Sequence, residues 1–279
     1  MEQISLFSKE TSKSRRPETV MWNLWHGCTK VSSGCRNCYM FRRDEAVGND
    51  PAVVRKTNAF NLPVRLLRSG PHKGEYCVPS GSHFSTCFSS DFFHEDADEW
   101  RNEAWEMMRV RSDCTFFMIT KRPERIASQL PPGWNDGWEH VTIAVTCENQ
   151  RAAERRLPVY LSLPLKHRAV MIEPMLSAVD LRPYLSERAS DGRQVIERVA
   201  VGGESGPNAR PCDFGWVLDV HAQCVESGVR FSYHQTGARL IKDGKEYRIP
   251  RKRQHEQARK AKLDFHGAAL PLKNELLSD

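Results

Sequence analysis

Residues Thr115–Glu148 read TFFMIT-KRPERIASQL-PPGWNDGW-EHVTIAVTCE. Thr115–Thr120 and His140–Thr146 are short apolar runs rich in Val, Ile and Phe, the pattern of strands covered on both faces. Between them, Glu124–Leu130 has helical character, and Pro131, Pro132, Gly133 and Gly137 mark a turn-rich loop. A strand, a helix and a second buried strand in about 30 residues form a crossover unit of a parallel sheet.

The same unit recurs outward in both directions. Thr19–Trp25, His83–Ser89, Ala169–Ile172, Val195–Val201 and Val229–Tyr233 are further strand candidates. Asp98–Arg111 places Trp100, Ala104, Met107, Met108 and Arg111 at helical intervals. Asn149–Leu157 and Phe214–Ser227 are further helices, the latter followed by Gly228 as a C-cap. The repeat predicts an α/β fold of six to seven parallel strands, a full or partial (β/α) barrel. A flat doubly wound sheet satisfies the same pattern. Residues 48–81 form a proline-interrupted insertion carrying Arg55, Lys56, Arg65, Arg68 and Lys73, and Asp243-Gly244 predicts a type I′ hairpin turn. The expected organisation is an N-terminal extension over 1–18, the barrel over 19–250 and a basic C-terminal tail over 251–279.

The formal net charge is +6 over 279 residues. Lys242–Lys262 holds nine basic side chains and three acids, so this one segment accounts for the whole excess. A neutral body with a local cationic patch suits a polyanionic partner such as nucleic acid, and a solvated tail is the plain alternative. No apolar run of membrane-spanning length and no secretory leader appear in the sequence, so the expectation is a cytoplasmic protein with no membrane partner. Nine scattered cysteines without an export signal argue against a disulfide framework.

Polar or reactive residues follow every strand candidate: Cys28, Asp91, Lys121 with Arg122, Glu148 with Asn149, Glu173, Gly202-Gly203-Glu204 and Gln235. In parallel α/β folds such positions converge on the carboxyl rim of the sheet, where ligands bind. The sharpest motif there is Gly27-Cys28-x6-Cys35-x2-Cys38-Tyr39. Three thiolates within eleven residues suit a zinc ion or an iron–sulfur centre. His26 is the local candidate for a fourth zinc ligand, whereas three cysteines alone leave one iron of a [4Fe–4S] cluster open. Cys87 and Cys147, at the ends of their strands, are candidate hydrogen donors. Trp134 and Trp138 are candidates for stacking on bases.

The run Trp22–Tyr39 (WNLWHGCTKVSSGCRNCY) resembles the opening of a phage- and bacterium-encoded family, long catalogued as a domain of unknown function and related to radical SAM proteins. The likeness continues through Ser89–His94 (SSDFFH), Thr120–Arg125 (TKRPER), Glu148-Asn149, Glu173–Leu176 (EPML), Gly202–Gly206 (GGESG) and Ala209–Pro211 (ARP), over roughly residues 19–250. It implies a partial (β/α) barrel of the radical SAM type with a [4Fe–4S] cluster on Cys28, Cys35 and Cys38. The open iron would bind S-adenosylmethionine, and one electron, from a donor such as flavodoxin or ferredoxin, would release a 5′-deoxyadenosyl radical that abstracts hydrogen. Ser90, Asp91, Glu148, Asn149, Glu173, Gly202, Gly203, Glu204 and Gln235 are the implied cofactor-binding positions. The chain departs from the usual pattern in the six-residue first gap, in Leu24, and at Tyr233-His234-Gln235-Thr236-Gly237, where the family's F-K-Q-W-G has lost its Lys and Trp.

The reading is thus a radical SAM enzyme that modifies or repairs a nucleic-acid base, with Lys121, Arg122, Arg251, Lys252 and Arg253 contacting the nucleic acid. A non-catalytic nucleic-acid-binding protein with a structural metal, and a radical SAM enzyme for a peptide or small metabolite, are the rivals.

Overall fold

A computed structural model describes residues 15–267, apart from 190, 191 and 193. Seven strands form one sheet: β1 (Thr19–Trp22), β2 (His83–Thr86), β3 (Thr115–Thr120), β4 (Val141–Thr146), β5 (His167–Ile172), β6 (Arg198–Gly202) and β7 (Arg230–Gln235). Each pairs in parallel with its neighbour in sequence, in the order β1-β2-β3-β4-β5-β6-β7. A doubly wound sheet reverses its strand order at a switch point. No reversal occurs here, which settles the choice in favour of a barrel topology. Within this sheet β1 and β7 do not pair with each other, so the barrel is partial and open.

The helices follow the crossovers: α1 (Tyr39–Ala46), α2 (Asp98–Val110), α3 (Pro123–Ile126), α4 (Gln150–Leu161), α5 (Arg182–Leu185), α6 (Phe214–Ser227) and α7 (Arg251–Lys260). Gly228 closes α6 in the left-handed region, at φ 71°. Helix α4 runs past Pro158, where the sequence predicts its end. Buried Leu157 and Tyr160, whose hydroxyl donates to the Ile143 carbonyl, hold the last turn in place despite the missing backbone donor.

The two faces of the sheet differ in a way that positions a site. One face joins the main core, where Phe116, Ile143, Val145, Val170, Ile172, Val199 and Val201 pack with helix residues such as Met108, Leu157 and Val220. The other carries a small separate cluster of Ala144, Ala169, Met171 and Ala200, flanked by Phe117 and Ile119. Ala144 pairs in register with Ala169, and Met171 with Ala200. Small side chains side by side on this face leave the trough of the half-barrel shallowly filled.

The basic segment is part of the fold over most of its length. Arg239–Lys242 and Lys245–Arg248 form the expected hairpin, with Asp243 at φ 53° and Gly244 at φ 72° as a type I′ turn requires. Residues 251–260, expected in a tail, are helix α7, with Gln254 and Ala258 buried, and Phe265 bridges to Phe231 of β7. Residues 1–14 of the expected extension and 268–279 of the expected tail lie outside the described residues. None of the described helices is long and apolar enough to cross a membrane.

Candidate functional site

The carboxyl ends of the strands supply four acids, Asp91, Glu148, Glu173 and Glu204, and each is engaged by a basic side chain: Arg122, Arg156, His234 and Arg210 in turn. Asp91 follows β2. Its Oδ1 accepts from Thr120 Oγ1 at 2.8 Å and its Oδ2 from the Lys121 amide at 3.0 Å and Arg122 Nη1 at 3.2 Å. Arg122 in turn donates through Nη2 to Thr29 Oγ1 at 2.7 Å and the Thr29 carbonyl at 3.2 Å, and its Nη1 lies 3.8 Å from Cys28 Sγ. Arg122 is therefore a clamp on the cysteine loop. At 3% exposure it is not available to a phosphate, which corrects the expected nucleic-acid role.

Glu148, after β4, is 0% exposed. It accepts from the Gly34 amide at 3.2 Å and from Arg156 Nη1 at 2.6 Å. A Cβ on Gly34 would meet the Glu148 side chain at 3.0 Å, so the small residue lets the loop sit on the carboxylate. Asn149 caps α4 through the Ala152 amide and donates from Nδ2 to Ser33 Oγ at 3.1 Å. Glu204, after β6, accepts from Asn37 Nδ2 at 2.9 Å and from the Arg210 amide and Nε at 2.8 and 2.9 Å, while Arg210 Nη2 reaches the Ser33 carbonyl at 2.9 Å. Ser90 Oγ donates to the Gly27 carbonyl. Three of the four acids, with Ser90 and Asn149, are thus spent on holding one loop, residues 27–37, at the rim.

That loop carries Cys28, half-buried, and Cys35, buried, and ends at Cys38, the residue before α1. All three are free thiols. The Cys38 amide donates to the Cys35 carbonyl at 3.3 Å. Burial, with a further push from Asp91, raises the Cys28 thiol to about 12, only partly offset by Arg122. His26, the expected alternative fourth ligand of a zinc, has its Nε2 engaged by Asp44 of α1 at 2.7 and 2.9 Å. Among the described residues no three His, Cys, Asp or Glu side chains close on a single ion position.

The fourth acid, Glu173, is held by the last strand instead of the loop. It accepts from His234 Nδ1 at 2.8 Å and from Gln235 Nε2. Gln235 Oε1 accepts from Arg251 Nη1 at 2.7 Å, which links α7 to the rim. The two glycines expected to approach a cofactor have other neighbours: a Cβ on Gly202 would meet the Glu173 carboxyl at 2.7 Å, and one on Gly203 would collide with the Thr236 carbonyl oxygen. Gly203→Ala is accordingly expected to destabilise the fold by about 1–3 kcal/mol in urea unfolding, because the obstacle is backbone. The Glu173 side chain holds the His234 imidazole above its ordinary value, against burial and the nearby Arg198 and Arg251. This contribution to stability is complete below the ordinary histidine pKa and is lost as pH rises through the raised one. Glu173→Gln should return the NMR-detected His234 titration to a lower pH; an unchanged titration would contradict the pairing.

Cys147 is 0% exposed and packs in the main core on the helix side of the sheet, not with the cluster of small side chains that faces the trough. Cys87 is buried too, but at φ 63° and under the field of Cys28 and Asp91, which together with burial holds its thiol well above the usual range. Trp134 and Trp138 do not offer a stacking surface. Trp134 is buried against Trp105, with ring centroids 5.2 Å apart, and Trp138 stacks on His140. Sequence reasoning missed Asn37, Arg210 and His234, and what signal there was for His234 lay in its displacement of the family's Lys.

A search of curated proteins found no match. Among solved structures, one described as spore photoproduct lyase complexed with dinucleoside spore photoproduct is similar, at 11% identity and a TM-score of 0.39, over 87% of this chain and 70% of that one. A family model described as "Protein of unknown function (DUF5131)" matches residues 17–267. With nearly all of its length matched, the chain belongs to this family.

Proposed function

We propose that the protein is a radical SAM enzyme that holds a [4Fe–4S] cluster on Cys28, Cys35 and Cys38 and acts on a nucleic-acid base. The observation that carries the reading is that Asp91 through Arg122, Glu148 directly, and Glu204 with Arg210 all fasten one loop whose reactive side chains are three free thiols. The donor set fits the cluster. A single zinc needs its ligands about 2.3 Å from one centre, whereas each thiolate of a cluster binds its own iron, so the thiols need not converge. The N-terminus of α1 beside Cys38 and the guanidinium of Arg122 beside Cys28 both offset thiolate charge. When bound, the cluster would supply the electron that cleaves S-adenosylmethionine and so provides a carbon radical for hydrogen abstraction.

The chain's own residues would do the rest. Glu173, with Gln235, is the rim acid left for a ligand's polar groups, and the alanine-lined trough gives the substrate room. The nucleic-acid assignment rests on charge: of the nine basic residues in Lys242–Lys262, only Lys260 is ion-paired among the described residues, with Glu256. Reduced, iron-reconstituted protein incubated with S-adenosylmethionine should form 5′-deoxyadenosine. Failure to form it with a full complement of iron and sulfide would remove the enzyme reading.

A further inference from the structure

Two basic side chains, one from α7 and one from β7, stand exposed at the mouth of the half-barrel with nitrogens that have no partner among the described residues. The first is Arg251, the opening residue of α7. Its Nη1 is anchored three times, to Gln235 Oε1 at 2.7 Å, Gln254 Oε1 at 3.3 Å and His255 Nε2 at 3.3 Å. All three partners are neutral: His255 donates Nδ1–H to the His234 carbonyl at 2.9 Å and accepts at Nε2, the arrangement of an uncharged imidazole. The side chain is exposed, and its Nε and Nη2 have no partner among the described residues. An arginine pinned at one nitrogen, with its charge uncompensated and its two-donor edge free, is preorganised for bidentate contact with an oxyanion.

The second is His234. The β6–β7 register pairs Tyr233 with Val201 and Gln235 with Gly202, so His234 is the extra residue of a bulge. A bulge re-aims its side chain, and here it turns the imidazole to the mouth, 53% exposed, with Nδ1 held by Glu173 and Nε2 without a partner among the described residues. The His234 and His255 rings lie 4.7 Å apart, which places His234 beside the Arg251 anchor. The charged and titratable groups around it are Glu173 after β5, Arg198 of β6, and Arg251 and His255 of α7.

We infer that Arg251 and His234 form a subsite for a phosphodiester of the nucleic-acid backbone at the mouth of the trough, next to the nucleotide that enters it. This rests on the nucleic-acid reading above and sharpens it, because it separates one positioned arginine from a diffuse basic surface. The neighbouring cations Lys242, Lys245, Arg248, Lys252 and Arg253 would then track the rest of the strand. With His234 protonated, Nε2 donates to the phosphate, so binding should strengthen as pH falls through its titration.

The test is fluorescence-anisotropy binding of a labelled oligonucleotide to the full-length, anaerobically purified protein across salt and pH. Arg251→Gln should raise Kd about tenfold and lower the salt slope by about one. Arg251→Lys, which keeps the charge without the fork, should recover the slope but not the affinity. Arg259→Gln, at the far end of α7, should leave Kd within about twofold, and His234→Gln should flatten the pH dependence. Equal small effects at Arg251 and Arg259 would overturn the subsite in favour of a diffuse patch. Equal binding of polyglutamate, or competition by inorganic phosphate at the same concentration as the oligonucleotide, would overturn the backbone assignment. Wild-type protein that cleaves S-adenosylmethionine but binds no oligonucleotide would sink this inference together with the nucleic-acid reading and leave the cofactor reading standing, and the opposite pattern would sink only the cofactor reading.

Discussion

Replacing Cys28, Cys35 or Cys38 by alanine, one at a time, is expected to bring the iron content of the purified protein to background and to abolish 5′-deoxyadenosine formation. Each thiolate would hold a different iron, and removing one leaves two ligands for a four-iron unit. The loop itself should survive, because its fastening runs through Arg122, Glu148 and Glu204 rather than through the thiols. Cys147→Ala is the control: it empties a small volume in the core beside α4 and should cost about 1 kcal/mol of stability while iron is retained. Retained iron in all three loop variants, or lost iron in the Cys147 variant alone, would show that the thiols have been assigned wrongly.

The largest stability effect is expected at Glu148. Glu148→Ala leaves Arg156 charged, buried and without its carboxylate, and Arg156 Nε and Nη2 already lack partners. Removing one member of a buried ion pair costs about 3–5 kcal/mol. The Gly34 amide loses its acceptor in the same step, so the cysteine loop should loosen as the fold weakens. Burial alone would raise the Glu148 carboxyl, but Arg156 and the Ser32 side chain outweigh it and hold the group below the usual carboxylate range. A lowered pKa makes this contribution complete above the ordinary carboxylate pKa and removes it as pH falls through the lowered value. Urea unfolding of the wild type should therefore weaken in acid, and the variant should weaken less over the same interval. Parallel acid profiles for the two proteins would contradict the assignment.

Much of the architecture was legible because it is written locally. Seven apolar runs predict the seven strands, Gly228 predicts the end of α6, and Asp243-Gly244 predicts a turn that needs two positive φ angles. Periodicity could not separate a barrel from a doubly wound sheet, because both use the same local unit; only the unreversed strand order does so. The rim residues were legible as a set but not in their roles. Arg122 reads as a surface cation until Asp91, 31 residues away, is seen to pull it under the loop. Glu148 and Glu204 read as ligands for a cofactor, and besides Arg156 and Arg210 they hold Gly34 and Asn37 of the loop, more than a hundred residues distant. Cys147 sits at a strand end like the others but falls on the helix side of the sheet, a matter of parity that a one-residue uncertainty in the strand conceals. Trp134 and Trp138 lie in a turn-rich loop and still fold back onto Trp105, because large rings gain more from burial than a loop composition suggests.

The +6 charge gained a location in the same way. It belongs to a hairpin and helix packed on the last strand, and one of its arginines reaches Gln235 at the rim. The substrate reading hangs on that contact, whereas the reaction reading hangs on the loop. The loop is tested most directly by the iron, acid-labile sulfide and zinc content of the full-length protein purified without oxygen. About four irons and about four sulfides per chain, with no stoichiometric zinc, are the expected result. About one zinc per chain with no sulfide would contradict it.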